Sequence, residues 1–85
     1  MELKDTISLM TSPDYKDRFL AEYWQVRIRY DKLKAIYENW GNLSFTPTCP
    51  KEIYYVQLDM MDGYIKVLEE RAEIEGIDLK EDNNV

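Results

Sequence analysis

A chain of 85 residues is too short to divide into several cores and close to the lower limit at which one core holds a fold unaided. Its 45% hydrophobic and 33% charged residues, with three glycines and three prolines, exclude a disordered chain and predict one helical domain over 1–85. A net charge of −6 opposes binding to DNA or RNA, and the lack of histidine removes the commonest zinc ligand and general base.

The N-terminus Met1-Glu2-Leu3-Lys4-Asp5 lacks the basic start and apolar middle of a signal peptide, and no apolar run is long enough to span a membrane. The sequence thus predicts a cytoplasmic protein without a membrane partner. Leu3, Ile7 and Met10 fit a short N-terminal helix that covers an end of a larger bundle. Ser12 and Pro13 then read as a cap followed by proline at the first helical position.

From Pro13 the first long helix is expected to run to Trp40, with Gly41 as its stop. Phe19, Tyr23, Val26, Tyr30, Leu33, Tyr37 and Trp40 follow one another in steps of four and three, the pattern of a helix packed along a neighbour. Two prolines make the next stretch, Asn42 to Pro50, an ordered loop. A second long helix, capped by Thr48 or Cys49, should run to about Glu75 and stop at Gly76. Its seam is Tyr54, Leu58, Met61, Ile65, Leu68 and Ala72, and beside it lies a second stripe of Ile53, Val56, Met60, Tyr64 and Val67.

The expected fold is therefore all-α, an antiparallel two-helix hairpin with a short N-terminal helix. Two apolar stripes exceed what one partner helix covers, and Trp24, Ile28 and Ala35 add a further apolar side to the first helix. Self-association into an oligomeric helical bundle is the expected remedy. The last residues, 80–85, read as a polar tail.

Catalytic signatures are missing: there is no Gly-rich phosphate loop, no G-x-S-x-G, no Cys/His pair and no metal-ligand spacing. The reading is of a protein that is not an enzyme and carries neither metal nor cofactor. Glu69, Glu70, Glu73 and Glu75 form a solvated acidic face, and Cys49 reads as a cap or a small packed residue.

The charge is unevenly spread. Arg27, Arg29, Lys32 and Lys34 crowd into eight residues against Asp31 alone, whereas from Asp62 onward eight acidic residues face three basic ones. Arg27, Arg29 and Lys34 flank the first seam, where they either pair with acids of a neighbouring helix or, with Tyr23, Tyr30 or Trp24 supplied by another subunit, grip and stack a nucleotide. Thr46, Thr48 and Lys51 stand beside a helix N-terminus. There Thr48 either caps the helix or joins the other two in holding a phosphate.

Asp14-Tyr15-Lys16-Asp17-Arg18, Ala21-Glu22-Tyr23, Lys32-Leu33, Phe45-Thr46-Pro47-Thr48-Cys49-Pro50, and Gln57, Met61, Tyr64, Val67-Leu68-Glu69 and Arg71-Ala72 carry a resemblance. Over residues 10–79 the chain resembles small phage-encoded helical-hairpin proteins of gut bacterial phages and prophages, related to a crAss-like phage protein. In architecture it is similar to the sponges that oligomerise and sequester cyclic nucleotide signals of bacterial immunity, the anti-CBASS and anti-Thoeris hairpins. The resemblance implies an anti-defence protein of the host bacterial cytoplasm that binds a nucleotide signal without turnover. The alternative is an oligomeric module that binds a host or phage protein through its exposed apolar face.

Overall fold

The computed structural model describes residues 1–80, and the rest of the expected polar tail, 81–85, lies outside them. The described residues are helical with no strand: a 3-10 turn over Leu3–Thr6, α1 (Ile7–Met10), α2 (Tyr15–Glu38), a second 3-10 turn over Trp40–Asn42, and α3 (Lys51–Glu75). The long dimension of 42 Å is little more than the length of α3 alone, so the two long helices lie side by side.

Contacts fix their direction. The Tyr15 hydroxyl meets Glu75, that of Tyr23 meets Glu69, the Tyr37 ring meets Tyr55, and the Trp40 ring lies edge-on to Tyr54 with centroids 5.0 Å apart. Partners on α3 fall in number as those on α2 rise, so the helices run in opposite directions. The two seams expected from the sequence are the faces that meet: Phe19, Tyr23, Leu58, Ile65, Leu68 and Ala72 are all buried.

The core is unevenly distributed along this contact. Phe19, Tyr23, Ile65, Leu68, Ala72 and Ile77 form one buried cluster near the end of the molecule where α3 stops. Toward the α2–α3 connection only Leu58 is buried, while Val26, Leu33, Tyr37 and Tyr54 are half-exposed. Tyr30, Tyr37 and Tyr54 occupy the seam there, and grooves open on both sides of it.

Helix ends depart from the sequence reading in three places. The first long helix begins at Tyr15, because Asp14 rather than Ser12 is the cap: its carboxylate accepts the Lys16 N–H at 3.0 Å. Ser12 instead accepts the Asp14 N–H and donates to Asp17, which leaves Pro13 in the approach turn. The same helix ends at Glu38, since Asn39 donates both its backbone N–H and its side-chain amide to the Ala35 carbonyl. Gly41 therefore stops nothing and lies in the 3-10 turn. Helix α3 takes Pro50 as its cap, with no side-chain hydrogen bond from Thr48 or Cys49. Gly76 does end α3, in the left-handed conformation at φ 71° that glycine alone adopts without strain.

Within the single chain the N-terminal segment covers the flank of α2. Both of its short elements pack on α2. Ala21 is buried, Thr6 is buried, and the Gln25 side-chain amide donates to the Thr6 hydroxyl at 2.9 Å. A small side chain at Ala21 lets the turn approach α2 closely, and part of the apolar side of that helix is then shared within one chain. Trp24 and Ile28 are half-buried and Ala35 is exposed.

Tyr23 couples this packing to pH. Its ring is 4% exposed and its hydroxyl donates to Glu69 Oε2 at 2.9 Å. Burial first, then the bond to Glu69 and its charge, raise the phenol above its ordinary pKa of 10.0, against the opposing pull of Arg27. The folded state thus holds this proton to higher pH than the unfolded state does. Stability is complete below about pH 10 and falls as pH rises through the raised folded value. Thermal melts from pH 8 to 11 should show this loss in the wild type and a shallower one in Tyr23→Phe; equal slopes would contradict the assignment.

Candidate functional site

Helix α2 carries basic residues on both sides of its seam, and the two sides differ in what those residues already hold. On one side, Arg27 is committed within the chain: Nε lies 3.6 Å from Asp31, and Nη1 lies 3.5 Å from Glu69 and 3.3 Å from the Tyr23 hydroxyl. Burial opposes its charge, but Tyr23, Asp31 and Glu69 outweigh that and raise its pKa. Of the two readings of Arg27, ion pairing is the one the geometry displays.

Tyr30 and Lys34 occupy the same side, with the Lys34 ammonium 5.9 Å from the Tyr30 ring centre. They border a shallow groove of about 280 Å³ that also contains Glu38, Asp59 and Asp62. Glu38 and Asp59, beside an Asp62 already paired with Lys66, outweigh the one ammonium and make it a poor place for a phosphate. Thr46 and Thr48 are exposed in the connection before α3. The Lys51 ammonium sits 4.7 Å over the Tyr37 ring, in a small hollow with Glu52, Tyr55 and Val56. Within the single chain Tyr30 and Lys34 share one groove, the Lys51 hollow adjoins it through Tyr37 and Tyr55, and Arg29 lies in a different groove.

Arg29 belongs to the opposite side. Glu22, Gln25, Arg29, Lys32 and Ile36 follow one another along α2 in steps of three and four, forming a stripe beside the seam. Across from them α3 presents Gln57, Met61 and Tyr64. Between the two helices runs an open groove of about 560 Å³, floored by Val26, Leu33, Ile36 and Met61. Among the described residues neither Arg29 nor Lys32 has an acidic partner, in contrast to Arg27. Glu22, the one carboxylate in the groove, accepts a hydrogen bond from the Tyr64 hydroxyl.

Two unpaired cations on one edge, an apolar floor, the Gln57 amide and a tyrosine ring are chemistry suited to a flat, partly apolar anion. The volume lies within the roughly 300–1,000 Å³ usual for small-molecule sites. Guanidinium and ammonium suit phosphate oxygens, and the Gln57 amide matches a donor and acceptor edge of a base, whereas the Gln25 nitrogen is already held by the Thr6 hydroxyl and the Met10 sulfur. Sequence reasoning named Arg29 alone of this set. The signal it passed over was the three-four spacing of the polar stripe, which places Gln25 and Lys32 on the same face as Arg29.

No curated protein and no solved structure matches the chain. A family model, Sequestin, matches residues 13–74, which takes in all of α2, the connection and nearly all of α3. With well over half of its length matched, the chain belongs to the Sequestin family.

Proposed function

We propose that this protein is a phage-derived anti-defence factor that sequesters a nucleotide-type immune signal in the bacterial cytoplasm and releases it chemically unchanged. The family name speaks of sequestration, and the Arg29 and Lys32 groove supplies chemistry for a nucleotide. The observation that carries the reading is the contrast between the two sides of α2: Arg27 is neutralised within the chain, whereas Arg29 and Lys32 are left to face an apolar, amide-edged groove. Free cations beside an apolar floor await an anion with a stacking surface. The net charge of −6 directs the same groove toward small nucleotides and away from long nucleic acids, which are repelled by the molecule as a whole. Turnover is not part of the proposal, because the groove contains no histidine, cysteine or serine nucleophile.

The hairpin acts in this reading as one unit of a homo-oligomer. The exposed stripe of α3 is the observation that favours self-association, and it also favours the second reading, a module that binds a host or phage protein. Calorimetric titration with a panel of cyclic and linear nucleotides separates the two. Sequestration predicts saturable binding by at least one of them, weakened at high salt because exposed contacts to phosphate are screened. Bound ligand should also raise the melting temperature by mass action. No heat from any member of the panel would overturn the nucleotide reading in favour of the protein-binding one.

A further inference from the structure

Helix α3 has two apolar faces, and its own chain covers one. On the uncovered face Ile53, Met60, Val67 and Ile74 recur at intervals of seven residues, and Val56, Gly63 and Glu70 stand at the three positions between them. Ile53, Val56, Met60, Val67 and Ile74 are all exposed, Met60 by 67% and Ile74 by 76%. A seven-residue repeat of this kind is the seam of a helix that packs along another helix.

Gly63 is the informative member. Glycine is the poorest helix former after proline, and here it stands in the middle of a 25-residue helix. A Cβ added to it would meet nothing within 4 Å, and its φ is not positive. Neither packing nor backbone geometry of the single chain therefore requires glycine at this position. A second helix crossing the face would require it, since the distance between helix axes is set by the side chains at the point of contact.

We propose that this face is the contact between two copies of the chain, with α3 packed antiparallel on α3 about a two-fold axis near Gly63. A two-fold interface must be complementary to itself, each residue i facing a residue j that faces i in return. Centred here, Met60 of each copy fills the space over Gly63 of the other, Val67 meets Val56, and Ile53 lies opposite Glu70 toward the two ends of the contact. The flanking charges agree with this direction: Asp59 of one copy lies beside Lys66 of the other, and symmetry makes the pair twice. A parallel arrangement would instead bring Lys66 toward Arg71, like against like. Within its own chain Lys66 meets Asp62 at 2.9 Å, so in the dimer it would stand between two carboxylates.

The interface deepens the oligomeric part of the reading above and explains why the nucleotide groove is open in a single chain. Tyr64 and Gln57 form the α3 edge of the groove and lie next to the Met60 and Gly63 seam. A second α3 on that seam would bring its own Tyr64 and Gln57 to the same edge. Ligand sites would then occur in symmetric pairs, each walled partly by the other copy.

Sedimentation equilibrium on the full chain at micromolar concentration, with helicity followed by circular dichroism, tests the proposal. The wild type should be a dimer. Gly63→Leu should weaken dimerisation at least tenfold while keeping or raising helicity, because the new side chain meets open space in its own chain. Val67→Glu provides a second disruption at a position 55% exposed in the single chain. Asp59→Lys should weaken the dimer, and adding Lys66→Asp should restore much of what was lost. Arg29→Ala, which disables the groove, should leave dimerisation at wild-type strength, so that failure of the interface and failure of the nucleotide reading are distinguishable. A wild-type monomer, or a dimer indifferent to both Gly63→Leu and Val67→Glu, would overturn the interface; a charge swap without rescue would overturn the antiparallel direction.

Discussion

Leu68→Ala is expected to destabilise the protein by about 2–5 kcal/mol, enough to unfold much of it at 37 °C. Leu68 is 2% exposed and lies among Phe19, Tyr23, Ile65, Ala72 and Ile77 in the buried cluster of the described residues. Removing its branched end costs transfer free energy and leaves a cavity that helices fixed on both sides cannot close. A small domain has total stability on the order of 5–10 kcal/mol, so one such change is a large fraction of it. Leu68→Met, which keeps the volume, should cost less than about 1.5 kcal/mol. Leu33→Ala, at a half-exposed seam position near the connection, should cost distinctly less than Leu68→Ala. Urea denaturation of the three variants checks the order, and equal losses for Leu68→Ala and Leu33→Ala would show that the core is not concentrated at one end.

Arg29→Ala should reduce nucleotide affinity by about tenfold to a hundredfold, the range expected when a charge-assisted hydrogen bond worth about 1.5–3 kcal/mol is lost. Lys32→Ala should act in the same direction, and the double variant should show no binding. Arg29→Lys should also lose affinity, because an ammonium cannot grip two phosphate oxygens in the planar fork of a guanidinium. Helicity should not change in any of these, since both side chains are exposed and, among the described residues, hold no acidic partner. Arg27→Ala is the informative control. It removes the contacts to Glu69, Asp31 and Tyr23, so it should lower stability modestly and leave affinity nearly intact. Titration of the five variants under one salt condition would show this division, and loss of binding in Arg27→Ala with retention in Arg29→Ala would move the site to the other side of α2.

The reason that Arg27 and Arg29 part company shows what was legible in the sequence. Seams in four-three spacing are a strong signal, and Tyr23, Leu58, Ile65 and Leu68 are where that signal places them. Gly76 is likewise legible, as a glycine that follows the last seam residue of a helix. Caps were less so. Ser12, Asp14, Thr48 and Pro50 all satisfy cap or first-turn preferences, and only the hydrogen bond accepted by Asp14 decides the first case. The site was legible as a composition and not as a place. Two basic residues separated by one position on a helix point about 200° apart, so Arg27 and Arg29 could not share a pocket on the same helix. Which of them remained free depended on Glu69, forty-two residues from Arg27 in sequence, and spacing along one helix says nothing about such a partner. Lys32 and Gln25 were within reach, had the polar stripe been followed with the same spacing rule that found the seam.

The most direct test of sequestration is to ask whether the ligand stays bound and stays whole. The purified protein is mixed with an equimolar set of cyclic and linear nucleotides and passed through gel filtration. The protein fraction is then denatured, and the small molecules it releases are weighed by mass spectrometry. The account predicts that at least one nucleotide travels with the wild-type protein, is absent from the Arg29→Ala, Lys32→Ala double variant, and is recovered at its original mass after prolonged incubation. A protein fraction empty of nucleotide, or one that returns only hydrolysed product, would contradict it.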